Sequence, residues 1–313
     1  MPDAVCLGEA VIDLFAPTGT SLKEARSFQR AAGGGPANNA VCLARLEKSV
    51  GMIGRVGEDS LGSYLVDLIS GEGVDTTHFQ RLPRENSTVV LIASPTPQEQ
   101  DFTIFWGADF QLAIEHLDRP YIESARVLVC GSTTLAHESR RAHHEAVSWA
   151  RAAQTRVAYD ANLRPVLWPD METAKDELLR GLRASDICKV NEVELEFLAG
   201  TSDLEGGSAW CLDQGPQLCV VTLGEQGAFF NNGRASGQVP AFAVDAVDTT
   251  GCGDAFLAGL VSQIIERHDN PDEWDEATLS EMVRFASATA QCNDLTFASF
   301  DSTKPQLHDR YGT

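Results

Sequence analysis

The sequence predicts an α/β protein built around a mostly parallel sheet, and three observations predict it. Short apolar runs recur along the 313 residues with longer amphipathic segments between them. From about residue 120 onward these patterns alternate strand, helix, strand, helix. The hydrophobic fraction of 43% is enough for a buried core. Such alternation implies right-handed βαβ units and a sheet covered by helices on both faces.

Taken in order, strands are expected at Ala4–Gly8, Val11–Phe15, Met52–Val56, Val89–Ala93, Thr103–Trp106, Val127–Cys130, Val157–Tyr159, Ile187–Val190 and Cys219–Leu223. Helices are expected at Pro36–Glu47, Ser139–Ala153, Glu172–Leu182, Glu192–Ala199, Gly253–Glu266 and Leu279–Gln291. Two regions break the rhythm. Residues 10–32 and 84–112 read as strands and turns with little helix, and could pair into a small sheet standing off the core. That sheet would be a lid over a site or an edge extension closing the core; the pattern leaves both open.

Charge narrows the function. With 24 Lys+Arg against 45 Asp+Glu the net charge is -21, which repels nucleic acid and anionic membrane surfaces. An anionic substrate would need a locally positive pocket made of backbone amides, a cation or a few Arg residues. The eight cysteines form no CxxC, and their scatter suits neither zinc nor a disulfide framework. They read as reduced thiols in a reducing compartment. Met1-Pro-Asp lacks the basic start and apolar run of a signal peptide, and no apolar stretch nears bilayer-spanning length. A soluble cytoplasmic protein is expected.

Common catalytic motifs are missing. There is no GxxxxGK[ST], no GxSxG elbow and no HExxH. The most informative segment is Val247-Asp248-Thr249-Thr250-Gly251-Cys252-Gly253-Asp254-Ala255-Phe256, an apolar run entering a small-residue turn that opens into an apolar helix. Two glycines bracket one residue, so successive backbone N–H groups can converge on an anion, helped by the helix dipole. Phosphoryl transfer needs such donors. Asp254 stands at the helix start, placed either to accept a proton from an attacking hydroxyl or simply to favour the helix N-terminus.

Asp-Thr-Thr-Gly-Cys-Gly-Asp-Ala-Phe resembles the C-terminal signature of the PfkB family of ribokinase-like sugar kinases, with Cys252 where Ala is usual. The resemblance implies that Asp254 is the catalytic base and that the amides of Gly251, Cys252 and Gly253 form the anion hole. It implies a single domain over 1–313, a ribokinase-like three-layer α/β/α sandwich whose lid comes from about 10–32 and 84–112. The family's other motifs follow in order over nearly the whole chain. Gly33-Gly34-Gly35-Pro36-Ala37-Asn38-Asn39-Ala40 resembles its N-terminal signature and is followed by Gly54-x-x-Gly57-x-Asp59-x-x-Gly62. Glycines let backbone approach a sugar, Pro36 suits a first helical turn, and Asn38 offers both donor and acceptor to hydroxyls.

Asp13 lies inside the apolar strand Val11–Phe15, where an unpaired carboxylate is costly, so it wants donors. A structural ion pair would supply them; the resemblance implies sugar hydroxyls instead. Asn191-Glu192-Val193-Glu194 follows the strand Ile187–Val190, where a topological switch point would put ligands. It is an ordinary helix start, or, by resemblance to the family's N-x-x-E motif, Asn191 and Glu194 organise magnesium and phosphate through water. Thr222-Leu223-Gly224-Glu225-Gln226-Gly227 resembles the nucleotide loop, with Thr222, Gly224 and Gly227 on ATP. Asp160-Ala161-Asn162-Leu163-Arg164-Pro165-x-x-Trp168, with Pro36 after the glycines, resembles the fructokinase branch, and Arg164 is the expected cation at phosphate or substrate.

Three departures stand out. Trp106-Gly107-Ala108-Asp109 lacks the Arg expected ahead of Ser-Ala-Asp, Ser287 stands where many members have Asn near the adenine ribose, and no Gly-Ala loop is recognisable in Gln291–Phe300. The last leaves potassium, which would sit near Asp248, as an open expectation. The resemblance thus implies an enzyme using ATP and Mg2+ to phosphorylate a sugar hydroxymethyl group, fructose first, paired as a homodimer through the lid. Ribose, 2-keto-3-deoxygluconate or a nucleoside are alternative acceptors, and a catalytically silent sugar-binding regulator is the rival of another class.

Overall fold

A computed structural model describes residues 1–96, 99–242, 251–267 and 269–291. In chain order the elements are β1 (Ala4–Leu7), β2 (Val11–Phe15), β3 (Gln29–Gly33), α1 (Gly35–Arg45), β4 (Val50–Gly57), α2 (Ser60–Gly71), β5 (Phe79–Leu82), β6 (Val89–Thr96) and β7 (Glu99–Phe105). Next come α3 (Arg119–Ser124), β8 (Val127–Gly131), α4 (Arg140–Ala152), β9 (Arg156–Asp160), α5 (Met171–Arg183), β10 (Ile187–Asn191), α6 (Glu192–Ala199) and α7 (Leu204–Gln214). The described part closes with β11 (Leu218–Thr222), β12 (Ala228–Asn231), β13 (Ser236–Val239), α8 (Cys252–Ile265) and α9 (Glu276–Gln291).

Nine strands form the main sheet in the order β13-β12-β11-β10-β9-β8-β1-β4-β5. Every neighbour from β11 through β5 is parallel; β12 and β13 add an antiparallel edge. Side chains alternate across the sheet, as β1 illustrates. Ala4 and Cys6 enter a core with α1, α2, α8 and α9, whereas Val5 and Leu7 enter a second core with α3 to α7. Two cores on opposite faces make this a three-layer α/β/α sandwich, the expected architecture.

Short polar residues cap five of the described helices. Asp59, Asp118, Asp170, Asn191 and Asp203 each accept a backbone N–H of the following helix. Pattern reading missed α2, α3 and α7 as well as β3, β5, β12 and β13. Glycines inside Ser60–Gly71 and Leu204–Gln214 blur the apolar period. The β12–β13 hairpin turns at Asn231-Asn232-Gly233-Arg234, and Gly233 there has φ 79°. The apolar run Val244–Val247, the Asp248 position and most of Gln291–Phe300 lie outside the described residues.

Residues 10–32 and 84–112 do form a second sheet, ordered β3-β2-β6-β7. It is mixed: β2 runs antiparallel to β3 and parallel to β6, and β6 runs antiparallel to β7. Four chain crossings join it to the sandwich, and two of them, Gly8-Glu9-Ala10 after β1 and Gly33-Gly34 before α1, lie side by side. These two nearly touch: a Cβ on Gly34, at φ 103°, would lie 2.6 Å from the Glu9 carbonyl oxygen and 3.0 Å from the Ala10 Cα. Only glycine permits that approach. The second sheet is thereby pinned beside the ends of β1 and α1.

Candidate active site

The parallel strands end along one edge, at Leu7, Gly57, Gly131, Asp160, Asn191 and Thr222, with Glu9 just beyond β1. The chain runs from β1 outward to β4 and β5, then returns on the other side through β8. The topological switch point is therefore between β1 and β8, and crevices form where successive connections diverge. This corrects the sequence expectation that put a switch point at Asn191. Strand β10 lies between its sequence neighbours β9 and β11, two strands away.

Asp254 sits in the first turn of α8, and Gly251 precedes that helix in the left-handed conformation at φ 77°. No side chain caps the helix among the described residues. Asn38, on α1, donates from Nδ2 to Asp254 Oδ2 at 2.8 Å. Gly35 approaches from the same side, where an added Cβ would lie 3.3 Å from Asp254 Oδ1. Burial raises the Asp254 pKa and the Asp160 carboxylate raises it further; Asn38, Lys189 and Arg164 pull it down. The carboxylate is thus held close to two donating elements in a half-buried position.

Asp13, on β2, faces this point from the second sheet. A Cβ on Gly33 would meet Asp13 Oδ2 at 2.0 Å, so glycine at 33 makes room for the carboxylate. Burial pushes Asp13 up to about 7, with Asp254 adding to the rise and Arg164 opposing it. Arg164 is exposed, in the turn after β9, and its charge reaches both Asp13 and Asp254. Asn38 is buried and its Oδ1 has no partner among the described residues. Thus Asp13, Gly34, Asn38, Arg164 and Asp254, separated widely in sequence, converge.

Asn191 and Glu194 form a reciprocal capping box. Glu194 N–H donates to Asn191 Oδ1 and Asn191 N–H to Glu194 Oε2, each at 2.8 Å. Glu194 Oε1 accepts from Leu163 N–H at 2.8 Å, tying α6 to the turn that carries Arg164. Burial raises the Glu194 pKa, against the pull of Lys189. The pair therefore serves the start of α6, and Glu194 neighbours the Lys189–Asp160 pair. Both carboxylate oxygens already hold amides, so the donor set suits a water-bridged cation better than a directly bound one. Among the described residues no cluster of three metal-ligating side chains occurs.

The expected nucleotide residues follow β11. Thr222 ends the strand, with its hydroxyl 3.4 Å from the Val190 carbonyl oxygen. Gly224 at φ 55° and Gly227 at φ 97° turn the chain back into β12. A Cβ on Gly227 would strike the Val239 carbonyl oxygen at 1.9 Å. Ser287 lies on α9, which packs on α8, β12 and β13, and its buried hydroxyl has no partner among the described residues.

Three charged residues matter more than the sequence reading allowed. Lys189, within β10, donates to both oxygens of Asp160 at 2.9 Å in a buried ion pair. Its Nζ would lie 3.0 Å from a Cβ on Gly253, directly beside the start of α8. Burial alone would lower the Lys189 pKa; the Asp160 and Glu194 carboxylates overcome it and raise it. Asp109 is buried, accepts the Thr88 hydroxyl, and is pushed up to about 7 by burial. Glu9 is likewise buried. The signal was available: Lys189 is a lone charge in an apolar strand, the argument already applied to Asp13.

Comparisons with known proteins agree with this arrangement. The pfkB family carbohydrate kinase profile matches residues 1–296. Fructokinase-1 of Zea mays is 37% identical over 290 residues, covering 91% of this chain and 89% of the maize protein. The crystal structure of fructokinase from Vibrio cholerae O395 with fructose, ADP and calcium ion has a TM-score of 0.84 at 28% identity, covering 95% of this chain and 94% of that one. Fructokinase from Xylella fastidiosa with bound ATP gives 0.83 at 30% identity, with 93% and 91% covered. With the profile matched over nearly the whole chain and Asp254 following Gly251-Cys252-Gly253 at the start of α8, this protein belongs to the pfkB family of carbohydrate kinases.

Proposed function

We propose that this protein transfers the γ-phosphoryl group of ATP to a hydroxymethyl oxygen of fructose, giving fructose 6-phosphate and ADP. The observation that supports this most is the placement of Asp254, held by Asn38 at the start of α8 with Asp13 and Arg164 opposite. In this reading Asp13, Gly34, Asn38 and Arg164 orient the sugar. Asp254 accepts the hydroxyl proton as the sugar oxygen bonds to phosphorus and the bond from phosphorus to the β-phosphate oxygen breaks. The amides of Gly251, Cys252 and Gly253 hold the charge on the equatorial oxygens. Thr222, Gly224, Gly227, Ser287 and Asn191 form the nucleotide side.

Magnesium chelated by the ATP phosphates would supply charge neutralisation there, with Asn191 and Glu194 reaching it through water. Potassium near Asp248 lies outside the described residues. The second sheet acts as the lid of the single domain; by closing on the sugar it excludes water, the competing acceptor. Pairing of two copies through that sheet, and work in the reducing cytoplasm, belong to the same reading. Six of the seven described cysteines are buried and none is disulfide-bonded.

The experiment is an ADP-release assay with ATP against fructose, ribose, 2-keto-3-deoxygluconate and nucleosides. Fructose should give the highest kcat/KM. Asp254→Asn should lower kcat by about 10²- to 10⁴-fold, the worth of a general base. Turnover with no acceptor, or an Asp254→Asn variant at full rate, would overturn the proposal.

A further inference from the structure

Next to Asp254 the crevice continues inward as a partly enclosed cavity of about 10 Å³, room for one water molecule. Glu9, Gly35, Asn39, Thr133, Asp160 and Asp254 are among its walls. Two polar atoms there, Glu9 Oε2 and Asn39 Oδ1, are buried without a partner among the described residues. Glu9 is only 6% exposed and Asn39 only 3%. Asn39 donates from Nδ2 to the Gly35 carbonyl oxygen at 2.8 Å, which fixes its amide and leaves Oδ1 as an acceptor. Glu9 Oε1 accepts from Gly35 N–H at 3.3 Å.

Counting donors requires one carboxyl proton at this cavity. An ionised Glu9, an ionised Asp254 and Asn39 Oδ1 are three acceptors around one water, which has two protons to give. A proton on either carboxyl completes the set. The Asn38 amide already donates to Asp254 Oδ2, which favours the charge on Asp254 and the proton on Glu9. Glu9 then donates to the water, and the water donates to Asn39 and Asp254. The surrounding charges agree. Asp254 on α8, Asp13 on β2 and Asp109 after β7 all face Glu9, and Asp160 lines the same cavity from β9. Lys189 is engaged by Asp160, and Arg164 faces Asp13 and Asp254 from the surface. The Cys130 thiol, on β8, is pushed up to about 12 by burial and stays neutral.

We propose that Glu9 is a positioning residue, kept as a neutral carboxylic acid and linked through one buried water to an ionised Asp254, so that it fixes the charge and orientation of the base. This rests on the reading of Asp254 as the base. Burial first, and the Asp254 carboxylate after it, push Glu9 up to about 7, while its own backbone amide, the Gly35 amide and the Thr133 hydroxyl pull it down. As pH rises Glu9 ionises, the donor is lost, and a second negative charge stands behind Asp254 where phosphate must arrive.

The test joins spectroscopy with kinetics. Infrared difference spectra of the substrate-free protein, with glutamate carboxyls labelled by 13C, are recorded from about pH 6 to pH 9, alongside kcat/KM for the best acceptor. A label-shifted protonated-carboxyl band that disappears as pH rises is expected, together with a fall in kcat/KM over the same range. Glu9→Gln keeps a donor but cannot titrate, so it should remove both the band and the alkaline fall. A pH profile unmoved by Glu9→Gln, or a rate lowered equally at every pH, would show a merely structural residue. If Glu9→Gln does not fold, absence of any glutamate band in the unsubstituted protein overturns the proposal by itself. A protein without kinase turnover that still shows the band would sink the kinase reading and leave the protonation result standing.

Discussion

Asn38 and Asp254, 216 residues apart, are joined by a 2.8 Å hydrogen bond from Asn38 Nδ2 to Asp254 Oδ2. The bond clamps the start of α1 to the start of α8 and favours the ionised form of the acid. Removing it in Asn38→Ala should let burial raise the Asp254 pKa further. The acid limb of the kcat/KM profile should then move to higher pH. An unmoved limb, with the fold intact, would separate Asn38 from the base.

Asp13 carries its charge in a place that resists it. Its pKa is raised from 3.8 to about 7 by burial and by Asp254. The folded state binds this proton more tightly than the unfolded chain, so ionising Asp13 costs stability as pH climbs through that window. Asp13→Asn should flatten the stability loss between those values. It should also weaken sugar binding about 10- to 100-fold, the loss of a charged hydrogen bond, with the KM for ATP nearly constant. Titration calorimetry with each ligand checks the split; equal weakening of both would favour a structural role.

Lys189 and Asp160 form a buried pair whose halves depend on each other. Lys189→Met strands the Asp160 carboxylate and should cost about 3–5 kcal/mol in urea unfolding. The double change Lys189→Met, Asp160→Asn should recover a large part of that loss, since no buried charge is left unpaired. If the double variant is no more stable than the single, the pair acts by another route.

Cys252 is the one partly exposed thiol among the described cysteines. Backbone amides, not side chains, make the proposed anion hole, so Cys252→Ala should keep kcat within about threefold. A thiol reagent should inactivate the unsubstituted protein, ATP should protect it, and Cys252→Ala should resist the reagent. An alanine variant that stays sensitive would move Cys252 away from the phosphate.

The sequence by itself determined the α/β class, the βαβ alternation, the two irregular regions and the motif containing Asp254, because these depend on local period and composition. Apolar runs in β1, β4, β8, β9, β10 and β11 announce buried parallel strands, and Gly251 with Gly253 announces a tight turn whatever surrounds it. Tertiary structure alone decided the rest. The switch point falls between β1 and β8 because strand order depends on which crossover packs where, and Asn191 gives no local sign of it. Strands β5 and β12 are short and gain their stability from neighbours distant in sequence. Glu9, Lys189 and Asp160 read individually as a strand end, a stray charge and a turn. Their meaning arises only when folding removes water from all three and leaves each to find a proton, a partner or both.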